Sequence, residues 1–223
     1  SLIVGNGYVM KKIIAAIGFN VMHDGSHGSF SKYAWLNKLA SSSISVLGAS
    51  RFMWAMKHVT LHHTYTNIDG VDDDIARSPL MRQCQSQVWK PAHKYQHIYV
   101  VFLYAISSLA WAAYLDFDKY FKKKVNNTPM QNMTTNDHVV FWVSKLLYAF
   151  FYIALPIMVV GFVPWLVGYL VMEIVLGFVL AIVFQLAHVV EETEFEYAGP
   201  NEALLIENEW AVHQIKTTSN FAP

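Results

Sequence analysis

Charge and cysteine are both scarce in this 223-residue chain. Charged residues make up 14% of the sequence and hydrophobic residues 54%, with a mean hydropathy of +0.29, which is more apolar than an ordinary soluble domain. The 16 Lys and Arg only balance the 16 Asp and Glu, so the positive excess that a nucleic-acid-binding surface needs is absent. Cys84 is the one cysteine, which excludes an intrachain disulfide and a cysteine-based zinc site. The composition therefore predicts an integral membrane protein with no nucleic-acid partner.

Lys and Arg are also missing from a long part of the chain, residues 146–215. Two apolar stretches, residues 140–160 and 165–187, lie within or next to this part. The length of each is close to the roughly 20 residues that a helix needs to cross a ~30 Å hydrocarbon core. Only a short break with prolines nearby separates them, so we predict a hairpin of two transmembrane helices. Because nearly all Lys and Arg precede the hairpin, the positive-inside rule places its tip outside and the histidine-bearing side in the cytoplasm.

A third apolar stretch, residues 98–115, has Lys90 and Lys94 before it and a run of lysines after it. Positive charge on both flanks disfavours a crossing, and a crossing would also separate His188 from the other histidines considered below. We therefore predict an interfacial or re-entrant segment. Residues 1–22 resemble the end of an earlier span but contain two lysines. The expected fold class is an all-α integral membrane protein, in which a transmembrane helical hairpin and interfacial helices carry a cytoplasmic histidine cluster.

Histidines gather at the ends of the apolar stretches, in the segments HDGSH, HVTLHH and QLAHVVEE. On a helix, residues four apart lie on one face about 5–6 Å from each other, so His23 can share an ion with His27, and His58 with His62. His63 is turned about 100° further and can serve a neighbouring ion. Burying this many imidazoles without a partner is costly, and neutral imidazole is the commonest metal ligand among side chains, so we predict a metal site. We expect ordinary interfacial roles for three isolated histidines: His93, His97 and His138.

The type of ligand alone does not select the metal. Imidazole suits zinc, copper, iron and nickel alike, which leaves a zinc hydrolase and an oxygen-activating iron enzyme open. A catalytic zinc ion needs only three protein ligands, whereas the first two histidine segments supply five, and His188 of the third is a sixth. This surplus indicates two metal ions.

Three segments carry a resemblance to a known family: GFNVMHDGSHGSFSK, FMWAMKHVTLHHTYTNIDGVDDD, and FQLAHVVEE followed by EWAVHQIKTTSNFA. They resemble the membrane fatty acid desaturases, most closely the bacterial acyl-lipid or acyl-CoA type that includes the linoleoyl-CoA and front-end desaturases. The similarity extends over nearly the whole chain. It implies that residues 1–223 belong to a single desaturase domain.

The resemblance further implies a non-haem di-iron centre at the cytoplasmic face. Its third histidine box, a Gln-x-x-His-His pattern, is expected a few tens of residues after TTSNFA. We therefore expect these residues to be a fragment that lacks one or more N-terminal spans and the third box, and that does not assemble an active centre by itself. The ligands implied within this chain are His23, His27, His58, His62, His63 and His188.

The activity implied is the O₂-dependent introduction of a cis double bond into an acyl-lipid or acyl-CoA chain, with electrons from cytochrome b5 or a ferredoxin, in a bacterial inner membrane. Iron is required because zinc does not exchange electrons. Three other interpretations stay open. They are a di-iron hydroxylase of alkanes, sterols or carotenoids, a membrane zinc hydrolase, and a non-enzymatic metal-binding membrane protein.

Further polar and aromatic residues lie near these ligands in the sequence. We expect Asp24, Gln185 and His213 to contact the ligands, a metal-bound water or the substrate rather than the metal. The acidic run within residues 69–74 is better interpreted as a solvated turn around Gly70 than as a set of acceptors for ligand rings. Tryptophans flank the apolar stretches, which is typical of an aromatic belt at the membrane interface: Trp35, Trp54, Trp89, Trp142, Trp165 and Trp210.

Overall fold

The computed structural model describes residues 17–76, 79–198 and 209–219, and helices dominate it as predicted. The α-helices are α1 (His23–Ser26), α2 (Ala34–Ser42), α3 (Arg51–Trp54), α4 (Gln96–Ala110), α5 (Asp116–Lys122), α6 (Thr135–Ala149), α7 (Leu155–Val160), α8 (Phe162–His188) and α9 (Trp210–Thr217). Wider π-helical turns lie at Ile17–Met22, Ala55–His62, Trp111–Leu115 and Phe150–Ala154, and 3-10 turns at Ser43–Leu47 and Pro91–Tyr95. Two small sheets pair β1 (Ile68–Asp69) in parallel with β4 (Glu196–Tyr197), and β2 (Lys124–Val125) antiparallel with β3 (Thr128–Pro129). Most of residues 1–22 lies outside the described part.

Two long apolar helices form the predicted transmembrane hairpin. The first is Thr135–Val160 and the second is Phe162–His188, and both are long enough to cross a membrane. Gly161 makes the reversal between them at a φ of +83°, a conformation that favours glycine. Across the reversal, the Trp165 indole N–H donates to Tyr152 O at 2.7 Å. Only 17% and 28% of the two apolar windows are buried inside the protein, which leaves most of their side chains to face lipid.

The chain before the hairpin forms a bent helical pair. Its arms, Pro91–Ala105 and Ser107–Lys122, are inclined by 59° to one another. The first arm lies against α8 at Gly177, where a Cβ atom would come within 2.7 Å of Tyr104 O. Glycine is therefore needed at this position for the two backbones to approach so closely.

Both ends of the bent pair lie near the histidine-bearing end of α8. Before the pair, the Gln83 side-chain amide donates to Gln185 Oε1 at 2.6 Å, one helical turn before His188. Near the end of the pair, the Lys119 ammonium lies 3.0 Å from Asp73, which follows the second histidine segment. These contacts support the predicted re-entrant path over a crossing.

A carboxyl group within the membrane region joins the bent pair to the hairpin. Glu173 lies near the middle of α8 and is 2% exposed. It accepts a hydrogen bond from Ser108 Oγ of α4 at 2.6 Å and one from Tyr148 OH of α6 at 2.7 Å. Since lipid offers no hydrogen-bond partner to such groups, these bonds favour one arrangement of the three helices.

A buried ion pair makes a second connection, about one turn earlier in α6. Lys145 Nζ lies 3.0 Å from Asp116 Oδ2, and the side chains are 7% and 2% exposed. The same carboxylate accepts from the Ser50 N–H at 2.7 Å and from the Trp111 indole N–H at 3.0 Å. The pair therefore joins α6 to the second arm and to the start of α3.

Helix α9 and the β1–β4 sheet cover the chain that follows the second histidine segment. The Trp210 indole and the Gln214 amide of α9 both donate to His63 O, at 3.3 and 3.0 Å.

An apolar cluster packs the start of the first histidine segment against α8. Its buried members are Met22, Ile44, Leu47, Ala49, Trp54, Leu176 and Leu180.

The re-entrant path predicts a labelling pattern in the complete protein. Single cysteines at the exposed positions Lys94 and Lys124, in a background without other reactive thiols, should react with an impermeant maleimide from the same side of the membrane. A cysteine at Phe162, beside the hairpin tip, should react from the other side. Labelling of Lys94→Cys and Lys124→Cys from opposite sides would show that this segment crosses.

The buried ion pair predicts a large effect on stability. Lys145→Met should lower the free energy of unfolding by about 3–5 kcal/mol, because it leaves the Asp116 carboxylate buried without its cation. The measurement is unfolding in mixed micelles with increasing denaturing detergent. The matched control is Lys122→Met, which removes a lysine from the exposed pair with Asp118 and should have no measurable effect. Equal losses in the two variants would contradict the importance of the buried pair.

Candidate metal centre

Four of the predicted ligands meet in one group, here called the first group. His23 begins α1 and His27 directly follows it, while His58 and His63 lie within and directly after the π-helical turn Ala55–His62. One ring nitrogen from each of the four lies within 4.8 Å of the others. The rings of His23 and His27 are 4.6 Å apart, as expected for residues four apart on a helix.

The π-helical turn decides which rings of the second segment face the first. In a π-helix the N–H of residue i+5 bonds to the C=O of residue i, and His63 N donates to His58 O at 3.1 Å. These two rings therefore share a face, with Nε2 atoms 3.1 Å apart. On an α-helix the spacing pairs His58 with His62, whereas the π-helical turn pairs His58 most closely with His63; His58 and His62 remain close enough to share an ion together with Asp74.

His62 instead meets His188 at the end of α8, with ring centroids 4.6 Å apart. Both rings line a small pocket, together with Asn67, Asp74 and Gln185. His62 also forms a set of three possible ligands with His58 and Asp74. The structure thus brings the six predicted ligands together in the first group and in an adjoining pair, His62 and His188, here called the second group; His58 lies close enough to His62 to link the two.

The acidic run after the second segment is not a solvated turn, contrary to the prediction. Asp72 is fully buried, and its Oδ2 lies 2.9 Å from His62 Nδ1. Asp74 Oδ2 lies 3.4 Å from His62 Nδ1 and 3.7 Å from His58 Nδ1. Two carboxylates of this run therefore face ring nitrogens of the predicted ligands.

The turn is shielded from solvent because a distant part of the chain covers it. Gly70, at a φ of +96°, lies so close to Ala198 that a Cβ atom would clash with the Ala198 carbonyl oxygen. Asp73 is held by Lys119 of the bent pair. Local sequence shows only a glycine among acidic residues, which is why it predicts a solvated turn.

The arrangement of the ring nitrogens fits a shared metal ion. Carboxylate oxygens lie 3.6 and 3.7 Å from Nδ1 of His23 and His58, beyond hydrogen-bond distance, and their charge favours a hydrogen on that nitrogen. Each Nε2 then carries a lone pair, yet the two Nε2 atoms are 3.0 Å apart. Two facing lone pairs repel each other unless a cation lies between them. Ligands bound at about 2.1 Å and at right angles to one another lie about 3.0 Å apart, so these residues suit a metal.

Burial keeps the central imidazoles neutral. Burial, with the nearby His62, lowers the pKa of His63 to about 3. Burial also lowers the pKa of His58 well below its usual value, although the Asp74 carboxylate opposes this. For His62, burial lowers the pKa, but the charge of Asp74 and the hydrogen bond with Asp72 outweigh it and raise the pKa. Because metals bind the neutral ring, His58 and His63 are available as ligands at neutral pH.

The three residues predicted to support the ligands have different environments. Asp24 lies 3.6 Å from His23 Nδ1, beside a predicted ligand. Gln185 lines the pocket between His62 and His188 and accepts from the Gln83 amide. His213 is fully buried, and its Nε2 donates to Thr66 O at 2.9 Å, so it supports the backbone after the second segment.

The isolated histidines lie outside the two groups. The half-buried His93 accepts from the Lys90 N–H, and His138 Nδ1 bonds to the Tyr120 hydroxyl. Trp54, in contrast, is not part of an exposed aromatic belt. It is 3% exposed and stacks on His58 with centroids 4.2 Å apart. Its position four residues before His58 was the sequence signal that could have found this contact.

Comparison with known proteins gives a consistent result. A family model described as fatty acid desaturase matches residues 5–223. The sn-1 linoleoyl-lipid 6-desaturase of Arthrospira platensis is 35% identical over 212 residues, which cover 94% of this chain and 56% of that protein. The acyl-lipid (8-3)-desaturase of Physcomitrium patens is 35% identical over 215 residues, 94% of this chain and 44% of that protein. A second sn-1 linoleoyl-lipid 6-desaturase, from Synechocystis sp., is 33% identical over 220 residues, which cover 96% of this chain and 60% of that protein.

The chain therefore spans about half the length of the curated relatives it matches. No solved structure gives a significant match.

The contact between His62 and Asp72 predicts an effect on metal affinity. Asp72→Asn should weaken metal binding by the complete protein about 10–100-fold, because the carboxylate that orients the His62 ring is lost. Titration of metal-free protein with Co²⁺, followed by visible absorption, measures the affinity. Asp73→Asn is the matched control, since this neighbouring carboxylate pairs with Lys119 and not with a histidine. Equal affinities for Asp72→Asn and the wild type would contradict this role.

Proposed function

Because this chain belongs to the fatty acid desaturase family, we propose that the complete protein is an O₂-dependent desaturase that introduces a cis double bond into a fatty acyl chain. The observation that carries the proposal is the approach of His23 Nε2 and His63 Nε2 to His58 Nε2, at 3.0 and 3.1 Å, beside a transmembrane hairpin. Neutral imidazole nitrogens converging in this way are a site for a transition metal. The two apolar helices and the family together make this a membrane protein.

We propose iron as the metal, with two ions per centre. The first group holds one ion, and His62 and His188 contribute to the second. When bound, the iron supplies the O₂-dependent oxidation that removes two hydrogens from adjacent methylene groups, which zinc cannot supply because it is redox-inactive. The six proposed ligands are His23, His27, His58, His62, His63 and His188.

The protein's own part is to fix these rings and to keep water away from them. Asp24, Asp74 and Asp72 lie beside Nδ1 of His23, His58 and His62. The hydrogen bond with Asp72 holds the hydrogen of His62 on Nδ1, and the charges of Asp24 and Asp74 favour the same tautomer in His23 and His58, which leaves each Nε2 for a metal. On the membrane side, Trp54 stacks on His58, and the Phe184 ring lies 5.8 Å from it. This aromatic wall excludes water and offers an apolar surface to an acyl chain.

The proposed substrate is an acyl lipid. The relatives from Arthrospira, Physcomitrium and Synechocystis are named as linoleoyl-lipid or acyl-lipid desaturases, which favours a lipid-bound chain over acyl-CoA. Electrons would come from a separate cytochrome b5 or ferredoxin. The charge asymmetry around the hairpin favours a centre on the cytoplasmic face, and the resemblance to bacterial members extends the proposal to a bacterial inner membrane.

The alternative functions receive less support. A di-iron hydroxylase needs the same histidines, but the relatives reported above are named as desaturases. A zinc hydrolase leaves three of the six histidines without a role. A non-enzymatic metal-binding protein gives no reason for the match to the desaturase family over residues 5–223.

Metal content and products, measured together, test the proposal. The complete protein, produced in host membranes, should contain about two iron ions per chain and should form new unsaturated fatty acids, detected by gas chromatography and mass spectrometry. His62→Ala should lose iron and the new products, whereas His97→Ala, at an exposed position outside both groups, should retain both. One zinc ion per chain with an unchanged fatty acid profile would contradict the proposal. New hydroxylated chains would favour the hydroxylase.

A further inference from the structure

Asn67 follows the second histidine segment at a φ of +59° and is fully buried. Its backbone N–H donates to Asp72 Oδ2 at 2.9 Å, the same oxygen that faces His62 Nδ1. Its backbone carbonyl accepts from Glu196 N at 3.1 Å. Both main-chain polar groups of Asn67 therefore have partners.

The side-chain amide has a defined orientation. Three carbonyl oxygens surround its nitrogen, those of His188 at 2.7 Å, Thr217 at 3.2 Å and Glu194 at 3.3 Å. A rotated amide would place an oxygen against three oxygens that cannot donate. The NH₂ group must face the carbonyls, and Oδ1 must face the opposite way.

Asn67 Oδ1 is the remaining polar atom of this residue, and it is buried without a hydrogen-bond partner among residues 17–76, 79–198 and 209–219. A buried acceptor left without a partner costs about 1–3 kcal/mol. An atom in such a position needs an explanation, and a bound ion or water is one of the usual ones.

Asn67 lines a small pocket, and Oδ1 is its polar side-chain atom without a partner among the described residues. His62, His188 and Asp74 line the same pocket. The Nδ1 atoms of the two histidines face Asp72 Oδ2 at 2.9 Å and Thr217 O at 3.3 Å, so Nε2 is the nitrogen left for a ligand.

The size of the pocket excludes a large ligand. The centre of a water molecule can occupy about 10 Å³ of it, which is room for an ion or a single water molecule and not for an acyl chain. The ligand must therefore be small, and it must suit imidazole and oxygen donors together.

We propose that Asn67 Oδ1 is an oxygen donor to a cation held by His62 and His188 in this pocket, directly or through one water molecule. The inference rests on the proposed function, because it assumes that these histidines bind a metal. Mixed imidazole and oxygen ligation suits a divalent transition metal such as iron. Asn67 then links the second histidine segment to α8 and α9 through its nitrogen, and to the metal through its oxygen.

Two substitutions at Asn67 distinguish the contribution of the side-chain oxygen from that of the side-chain nitrogen. Asn67→Gly tolerates the positive φ and removes both groups. Asn67→Asp keeps an oxygen at this position and loses the donors to the three carbonyls, so it should be less stable to heat. The matched control is Asn126→Gly, which changes another asparagine at positive φ, 50°, in the turn between β2 and β3.

The measurement is titration of the complete, metal-free protein with Co²⁺, followed by visible absorption and by elemental analysis of bound metal. The wild type and Asn126→Gly should bind two ions. Asn67→Gly should bind one ion with unchanged affinity and the other at least tenfold more weakly, whereas Asn67→Asp should retain both ions. A high-resolution structure of the metal-loaded wild type should place a cation or a single water beside Asn67 Oδ1, and it distinguishes direct from water-mediated ligation.

Several outcomes would overturn the inference. Wild-type affinity for both ions in Asn67→Gly would do so alone, without affecting the proposed function. Loss of the second ion from Asn67→Asp as well would assign the effect to the amide nitrogen. If Asn67→Gly does not fold, a protein side chain bonded to Oδ1 in the high-resolution structure would also overturn it. A wild-type protein that binds no ion would overturn the proposed function and the inference together.

Discussion

The wide π-helical turn at Ala55–His62 sets the geometry on which the histidine cluster depends. Because its hydrogen bond spans five residues, His58 and His63 face the first segment together. His62 is left to face His188 at the end of α8. An α-helical turn would place His62 on the face that His63 occupies. One local change in helical pitch thus distributes three neighbouring histidines between two sites.

Carboxylates complete this geometry by facing the rings of the proposed ligands. Asp72 lies beside Nδ1 of His62, and Asp74 lies near Nδ1 of both His62 and His58. The acceptor at Nδ1 of His62 holds the hydrogen there, so that Nε2 keeps the lone pair that a metal would need. Asn67 donates its backbone N–H to the same Asp72 carboxylate. The buried Asp72 carboxylate therefore orients the His62 ring and also holds the backbone at Asn67.

The membrane helices position this cluster through a few buried polar contacts. Glu173 joins α4, α6 and α8, and the Lys145–Asp116 pair joins α6 to the second arm of the bent pair. Apolar surfaces in lipid slide past one another at little cost, whereas a hydrogen bond or an ion pair defines one register. These contacts define how α8, which ends at His188, packs with α4 and α6.

The sequence by itself determined the apolar hairpin, the histidine spacing and the resemblance to the desaturase family, because these depend on composition, on local periodicity and on contiguous motifs. Only the tertiary structure decided that Asp72 is buried and that Trp54 stacks on His58. It also decided that the first group contains His63 and not His62. The orientation of the Asn67 amide depends on carbonyls of residues 188, 194 and 217, which are more than a hundred positions away in the chain. Burial and hydrogen bonding of a turn are set by the distant segments that cover it, and local spacing carries no information about those segments.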